Sequence, residues 1–177
     1  MKAEVEIPDG VKVSVSGGSF EVTGPLGSVK RDLSFMPLVS FSVSGDKVVV
    51  ETPGEKKRAR MFLNTARAHV VNLIEGVTKG FRYRLEMVHV HFPMRLSVKD
   101  NEMVLENFLG SKTPRKIWKH PDVQVKVQGK KILVEGLDKE HVGQTAANIE
   151  HLTRVKSKDR RVFRDGIFLV ERGYINE

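Results

Sequence analysis

The chain of 177 residues carries one pattern twice. VSGGSFEVTGPLGS at 15–28 meets VKDNEMVLENFLGS at 98–111, so that Leu26-Gly27-Ser28 falls on Leu109-Gly110-Ser111. VSGDKVVVE at 43–51 meets VQGKKILVE at 127–135, and Asn64 meets Asn148 in the same register. A single-residue indel reconciles the two alignments. Whatever one half folds into, the other must fold into as well, and each half is long enough to bury a core of its own.

Each copy opens with short alternating segments. Val11, Val13 and Val15 alternate with polar residues, as a strand with one covered face requires. Gly17-Gly18 reads as a turn before Phe20 and Val22. A hairpin follows, with Val43 ahead of Gly45-Asp46 and Val48 to Val50 behind it. The second copy repeats it: Val123, Val125 and Val127, then Gly129-Lys130, then Ile132 and Val134. A helix comes next in both. In the first copy Thr52-Pro53-Gly54-Glu55 reads as a capping box, Ala59, Phe62, Leu63, Ala66, Val70, Leu73 and Ile74 recur at helical spacing, and Gly76 reads as the stop. In the second copy Asp138 is the expected N-cap, with Val142, Ala146, Ile149 and Leu152 as the buried stripe. Phe81 to Phe92 reads as one long strand joining the copies. The expected architecture is α+β: two tandem similar domains, each an antiparallel sheet with one helix packed on one face. The expected bounds are 1–83 and 84–172, with a tail at 173–177.

Net charge is +8, which suits a polyanionic partner. Both halves are basic, so local clustering is the more informative signal. Lys56-Lys57-Arg58-Ala59-Arg60 reads as the solvated face of the first helix. The stretch from Asn107 through Gly110, Lys112 and Arg115 to Lys116 differs: its cations surround a glycine and a proline on an exposed turn. Lysine and arginine there can neutralise phosphates, and Gly110 lets a backbone come close. The densest run, RVKSKDRRVFR at 154–164, has six basic residues and one acid, Asp159. Apolar Ile167, Phe168 and Leu169 follow, so the run is expected to be an ordered arm that returns to the fold. On the second helix Gly143 lies beside Gln144, Ala146, Ala147 and Asn148, and the amides of Gln144 and Asn148 are i, i+4 neighbours.

Cysteine is absent, which excludes disulfides and thiol catalysis. No apolar run approaches the roughly 18 residues a membrane span needs, and MKAEVEIPDG lacks a signal-peptide core; the expectation is a cytosolic protein. There is no HExxH, P-loop, GxSxG or GxGxxG. His89-x-His91 would share a strand face, without an evident third ligand. His69, His120, His141 and His151 are scattered along the chain. No catalytic residue, metal site or cofactor is expected. An RNA-acting enzyme and a protein-interaction module are the competing classes.

The motifs GLDKEHVGQTAANIE at 136–150, ILVEG, NFLGSKTPRK and TRVKSKDRRVFRDGI at 153–167 resemble the ribosomal protein L6 family of the large subunit, in its archaeal and eukaryotic branch. The resemblance implies a structural rRNA-binding protein in the cytoplasmic ribosome. It implies a place near the stalk base and the sarcin–ricin loop, with neighbouring ribosomal proteins and translation GTPases close by, and no membrane or small-molecule substrate. Carried over by motif, the implied contacts are Asn107, Lys112, Arg115, Lys116, Lys139, Gln144, Arg154, Lys156, Lys158, Arg160, Arg161 and Arg164, with Gly110, Gly143 and Gly166 allowing close approach. Phe168 and His151 depart from the Tyr and Gln expected there.

Overall fold

The computed structural model describes residues 1–36 and 38–176. It divides into two compact units, 1–80 and 81–177. The first contains β1 (Lys2–Glu6), β2 (Lys12–Ser16), β3 (Ser19–Gly24), β4 (Gly27–Asp32), β5 (Ser40–Ser44), β6 (Lys47–Glu51) and α1 (Lys57–Thr78). These strands make two antiparallel sheets, ordered β2-β3-β4 and β1-β6-β5. The alternation has its expected consequence: Phe20 and Val22 on β3, and Val48 and Val50 on β6, are fully buried. α1 packs on β1, β3, β4 and β6, so one helix closes both sheets. It does so with Leu63, Ala66, Val70, Leu73, Ile74 and Val77, spaced mostly three or four apart. Truncating a side chain as buried as Phe20 costs about 3–5 kcal/mol.

Both ends of α1 differ from the sequence reading. Thr52 does not cap it. Its N–H donates to the Met1 carbonyl at 2.9 Å, and its own carbonyl accepts the Met1 ammonium at 2.8 Å. Thr52 therefore prolongs the β1–β6 pairing, and the helix starts at Lys57 with Lys56 at the N-cap and no side-chain cap. Gly76 lies buried inside the helix rather than ending it. Termination falls to Gly80, whose φ of +66° lets its N–H turn back to the Gly76 carbonyl at 3.1 Å.

The second unit contains β7 (Phe81–Val88), β8 (Arg95–Lys99), β9 (Glu102–Glu106), a 3-10 turn (Phe108–Gly110), β10 (Arg115–Trp118), β11 (Gln124–Gln128), β12 (Lys131–Gly136), α2 (Lys139–Leu152) and β13 (Gly166–Tyr174). Its sheets run β10-β9-β8 and β11-β12-β7-β13. The first repeats β4-β3-β2, and β11-β12-β7 repeats β5-β6-β1, which is the internal repeat in three dimensions. The fold is α+β, with each unit's antiparallel strands divided between two small sheets under one helix. α2 is capped by the Asp138 carboxylate, which accepts the Glu140 N–H at 2.8 Å. Its stripe of Val142, Ala146, Ile149 and Leu152 meets Leu85, Ile132, Val134 and Ile167 in the core.

β13 has no counterpart among the described residues of the first unit. It pairs with β7 on the side away from β12, which makes β7 a central strand. The expected strand to Phe92 accordingly stops at Val88, and the unit begins at Phe81, three residues before the expected boundary, because Phe81 to Tyr83 pair with both neighbours. Gly173 and Tyr174, expected in the tail, belong to β13; Glu177 lies outside the described residues. His89 and His91 lie beyond the end of β7 and share no strand face.

Candidate nucleic-acid interface

The link from α2 to β13 is the basic run, and both of its ends are pinned. The Thr153 hydroxyl donates to the Glu150 carbonyl at 3.0 Å and accepts the N–H of Ile167 at 3.0 Å. The Glu150 carboxylate accepts the N–H of Leu169 at 2.8 Å. Asp165, buried, accepts the N–H of Val90 at 3.1 Å. Between these anchors the chain folds on itself. Ser157 takes a φ of +58°, the Asp159 carboxylate accepts the Arg161 N–H at 2.9 Å, and Phe163 donates its N–H to the Asp159 carbonyl at 2.9 Å. Phe163 is half-buried, with Lys158 Nζ 4.4 Å above its ring and the His91 ring 6.3 Å away. The run is an ordered arm.

The arm frames a cleft of ≈ 790 Å³ lined by His151, Arg154, Arg160, Arg164, Phe163 and Phe168, among others. Arg154, Lys156 and Arg160 are exposed and have no carboxylate partner among the described residues. Arg164 gives its Nε to the Arg161 carbonyl at 3.1 Å. Arg161 is a partial exception to this surplus: its guanidinium grips Asp159 at 2.8–3.2 Å and holds that carboxyl below its ordinary range. The surface is therefore strongly positive and carries aromatic rings, a combination suited to a phosphate backbone with unstacked bases.

The 107–116 segment adjoins the arm through Arg115. Its Nη1 donates to the carbonyls of Leu152 at 2.7 Å and Arg154 at 3.1 Å, and its guanidinium lies 4.5 Å over the Phe108 ring. Arg115, expected to face a phosphate, thus also works inside the unit, where it satisfies carbonyls at the end of α2 and joins the two basic segments. Asn107 holds the turn with φ +57° and an amide donated to the Pro93 carbonyl at 3.0 Å. Lys112 is exposed on the loop before β10. Lys116 makes an exposed pair with Glu102 at 3.3 Å, a contact of little energetic weight.

Lys139, Gly143 and Gln144 lie on the N-terminal half of α2, away from the helix end that feeds the arm. Lys139 Nζ is 5.5 Å over the Phe81 ring. Gln144 donates to Asn148 Oδ1 at 2.9 Å, and Asn148 donates in turn to the Trp118 carbonyl at 3.1 Å, tying α2 to β10. The three expected glycines separate on packing grounds. Gly110 has a φ of +74° and abuts Phe92; a Cβ on Gly166 would lie 2.9 Å from the Phe168 ring. Gly110 thus has an internal reason to be glycine, whereas at Gly166 the crowding atom is the far end of the exposed Phe168 side chain, which can swing away. A Cβ on Gly143 would meet only Tyr83, at 3.9 Å, an ordinary contact. Nothing among the described residues requires glycine there, although it costs about 1 kcal/mol of helix stability.

Two clusters escaped sequence reasoning. Glu135 on β12, nearly buried, binds Lys126 of β11 at 2.7 Å and Arg82 of β7 at 2.6 Å. The Lys126 hydrogen bond, opposed by burial and aided by Arg82, holds its carboxyl below the ordinary glutamate range. His120 and His141, far apart in sequence, are stacked: their ring centroids lie 3.4 Å apart, and both Nδ1 atoms meet the Asp122 carboxylate, at 2.8 and 2.7 Å. Burial pushes the Asp122 carboxyl up, but these bonds outweigh it and keep it below its usual range.

Among the described residues, no helix is long and apolar enough to cross a membrane. The sequence pattern of the family described as ribosomal protein L6 matches residues 7–80 and again 92–166, once in each unit. Curated relatives align almost end to end. The large ribosomal subunit protein uL6 of Methanococcus vannielii is 43% identical over 172 residues, 97% of this chain and 94% of its own length. That of Staphylothermus marinus is 44% identical over 174 residues, 96% of this chain and 94% of its own. That of Aeropyrum pernix is 44% identical over 171 residues, 97% and 94%. Matched twice by the family pattern and along nearly its whole length by archaeal relatives, the chain belongs to the ribosomal protein L6 family, whose members are structural rather than enzymatic.

Proposed function

We propose that this chain is a structural constituent of the large ribosomal subunit in the cytoplasm, and that its second unit holds large-subunit rRNA by the phosphate backbone. The pinned arm supports this reading most directly: Arg154, Lys156 and Arg160 stand exposed, without acidic partners among the described residues, on a loop fixed at both ends by Thr153 and Asp165. A loop already ordered loses little entropy on binding, so its charges act at close to full effect. Lys112 and Lys116 extend the surface across the Arg115 junction, and Gly143 with Gln144 offers a second approach where a ribose or phosphate can come against α2. Recognition of this kind follows the shape of folded RNA more than its sequence. A place at the stalk base, beside the sarcin–ricin loop, other ribosomal proteins and the translation GTPases, is the setting the family resemblance implies.

Glu150 and Asp165 line the cleft, and both accept backbone N–H groups. One oxygen of each is thus held by the backbone, a structural use that favours a binding surface over an RNA-cleaving site; the other Asp165 oxygen, Oδ2, is buried without a hydrogen-bond partner among the described residues. Ultraviolet crosslinking of the purified chain reassembled into large subunits tests the reading. Crosslinks should concentrate at 107–116 and 153–166, with a smaller set around 139–144. Crosslinks confined to the first unit would overturn it.

A further inference from the structure

We propose that His120, Asp122 and His141 form a binding site for one divalent metal ion of the zinc class, on the side of the second unit where the loop ahead of β11 meets the first turn of α2. Candidate ligand atoms of the three residues all lie within 4.8 Å of one another. The two imidazoles are nearly parallel, 12° between planes, and each turns its Nδ1 to a different oxygen of the same carboxylate. Two nitrogens and a carboxylate are the donor set of three-ligand zinc sites, with water in the fourth position. Imidazole also suits copper and nickel.

Coordination needs the two rings to turn: each Nδ1 lone pair lies in its ring plane, and planes 12° apart with centroids 3.4 Å apart aim the two lone pairs side by side, so the imidazoles must rotate out of their stack before both can point at one ion. Ligands at about 2.0–2.1 Å in a tetrahedron are separated by about 3.3 Å, against the 2.7–2.8 Å seen between Nδ1 and carboxylate oxygen. Besides that rotation, each Nδ1–oxygen separation must open by about half an ångström around the ion. Any hydrogen on Nδ1 must relocate through solvent to Nε2 before that nitrogen can bind the ion. His120 and His141 are each roughly one quarter exposed, which leaves a route for entry.

One effect opposes the site: the amino end of α2 repels a cation. The Asp138 carboxylate offsets it. This N-cap residue places Oδ2 3.8 Å from His141 Nδ1, adding a second negative group beside the first. The cluster also differs from an ordinary surface ion pair. Three metal-ligating side chains, two from the loop ahead of β11 and one from α2, gather on one another here, where an ordinary pair joins a single cation to a single anion.

The chain supplies its own probe. Trp118, the sole tryptophan, has its ring centroid 5.0 Å from that of His120. The full chain, without a histidine tag and stripped with chelator, is titrated at pH 7.5 with Zn²⁺ in a calorimeter and with Cu²⁺ while Trp118 emission is followed. One equivalent of Zn²⁺ should bind, and one equivalent of Cu²⁺ should quench the emission. His141→Gln and Asp122→Asn should each weaken both signals about tenfold or more, while His69→Gln in the first unit should leave them unchanged. Circular dichroism confirms that each variant is folded, and His120→Gln replaces any that is not. Absence of Zn²⁺ binding, or binding that survives in the folded variants, overturns the proposal and leaves the cluster a hydrogen-bonded His–Asp–His unit.

Discussion

Arg115 on β10 donates to the carbonyl of Leu152, the last residue of α2, at 2.7 Å. The same nitrogen reaches the Arg154 carbonyl one step into the arm, at 3.1 Å. Substituting Arg115→Ala leaves these carbonyls without that donor and should cost about 1.5–3 kcal/mol by urea unfolding, the range for hydrogen bonds from a charged group. Arg115→Lys should recover only part of it, since the ammonium lacks the planar fork.

Thr153 makes the matching contact on the other side of the arm. Its hydroxyl is the acceptor for the buried N–H of Ile167 at 3.0 Å. Thr153→Val keeps the shape and removes the acceptor, so it should destabilise by about 1–3 kcal/mol. Hydrogen exchange should show the effect locally, as faster exchange at 166–169. Unchanged protection there would mean that the arm is not held by this residue.

At Gly143 stability and binding are expected to move in opposite directions. Gly143→Ala should stabilise the free protein by up to about 1 kcal/mol, because the added methyl finds only Tyr83, at 3.9 Å. The same methyl should weaken rRNA binding. A variant that is more stable and binds equally well would remove the N-terminal half of α2 from the interface.

Acid should act in part through Glu135. Its carboxyl is held below the ordinary value of 4.5 by Lys126 and, against burial, by Arg82. A depressed carboxyl contributes stability that is fully present above its unfolded value and is lost as pH falls through the lower folded value. Stability should therefore be level near neutrality and decline below about pH 4.5. In Glu135→Gln that decline should be shallower, from a starting stability about 1 kcal/mol lower. An unchanged acid slope would show that the Lys126–Glu135–Arg82 triad is open in solution.

Much of the fold is legible in the sequence because it rests on local patterns. Val13, Val15, Phe20 and Val22 alternate, Gly17-Gly18 and Gly45 turn, and Ala59 to Ile74 keep helical spacing. The repeat then supplies the second unit. The ends of α1 are not legible in this way because Thr52 has a competing use, pairing with Met1 51 residues away, and no local rule reveals such a contact. β13 is hidden for a related reason: its partner β7 is distant in sequence, and an added edge strand has no counterpart in the other copy's pattern. In the candidate interface, the density of the 154–164 run is visible, but its anchoring is not. Thr153, Asp165 and Arg115 act on backbone groups brought near by folding, and His120 and His141 meet only because the β11–β12 hairpin returns the chain to Asp122.

The central claim, that the pinned arm binds rRNA through its phosphates, is tested most directly by measuring affinity for a large-subunit rRNA fragment across a salt series. The wild-type chain should show a steep linear fall of log affinity with log salt. Replacing Arg154, Lys156 and Arg160 by alanine should weaken binding and flatten that slope by about one unit for each phosphate no longer neutralised, whereas Arg115→Ala should weaken binding with less change in slope. An affinity indifferent to salt, or a triple variant with the slope of the wild type, would contradict the account.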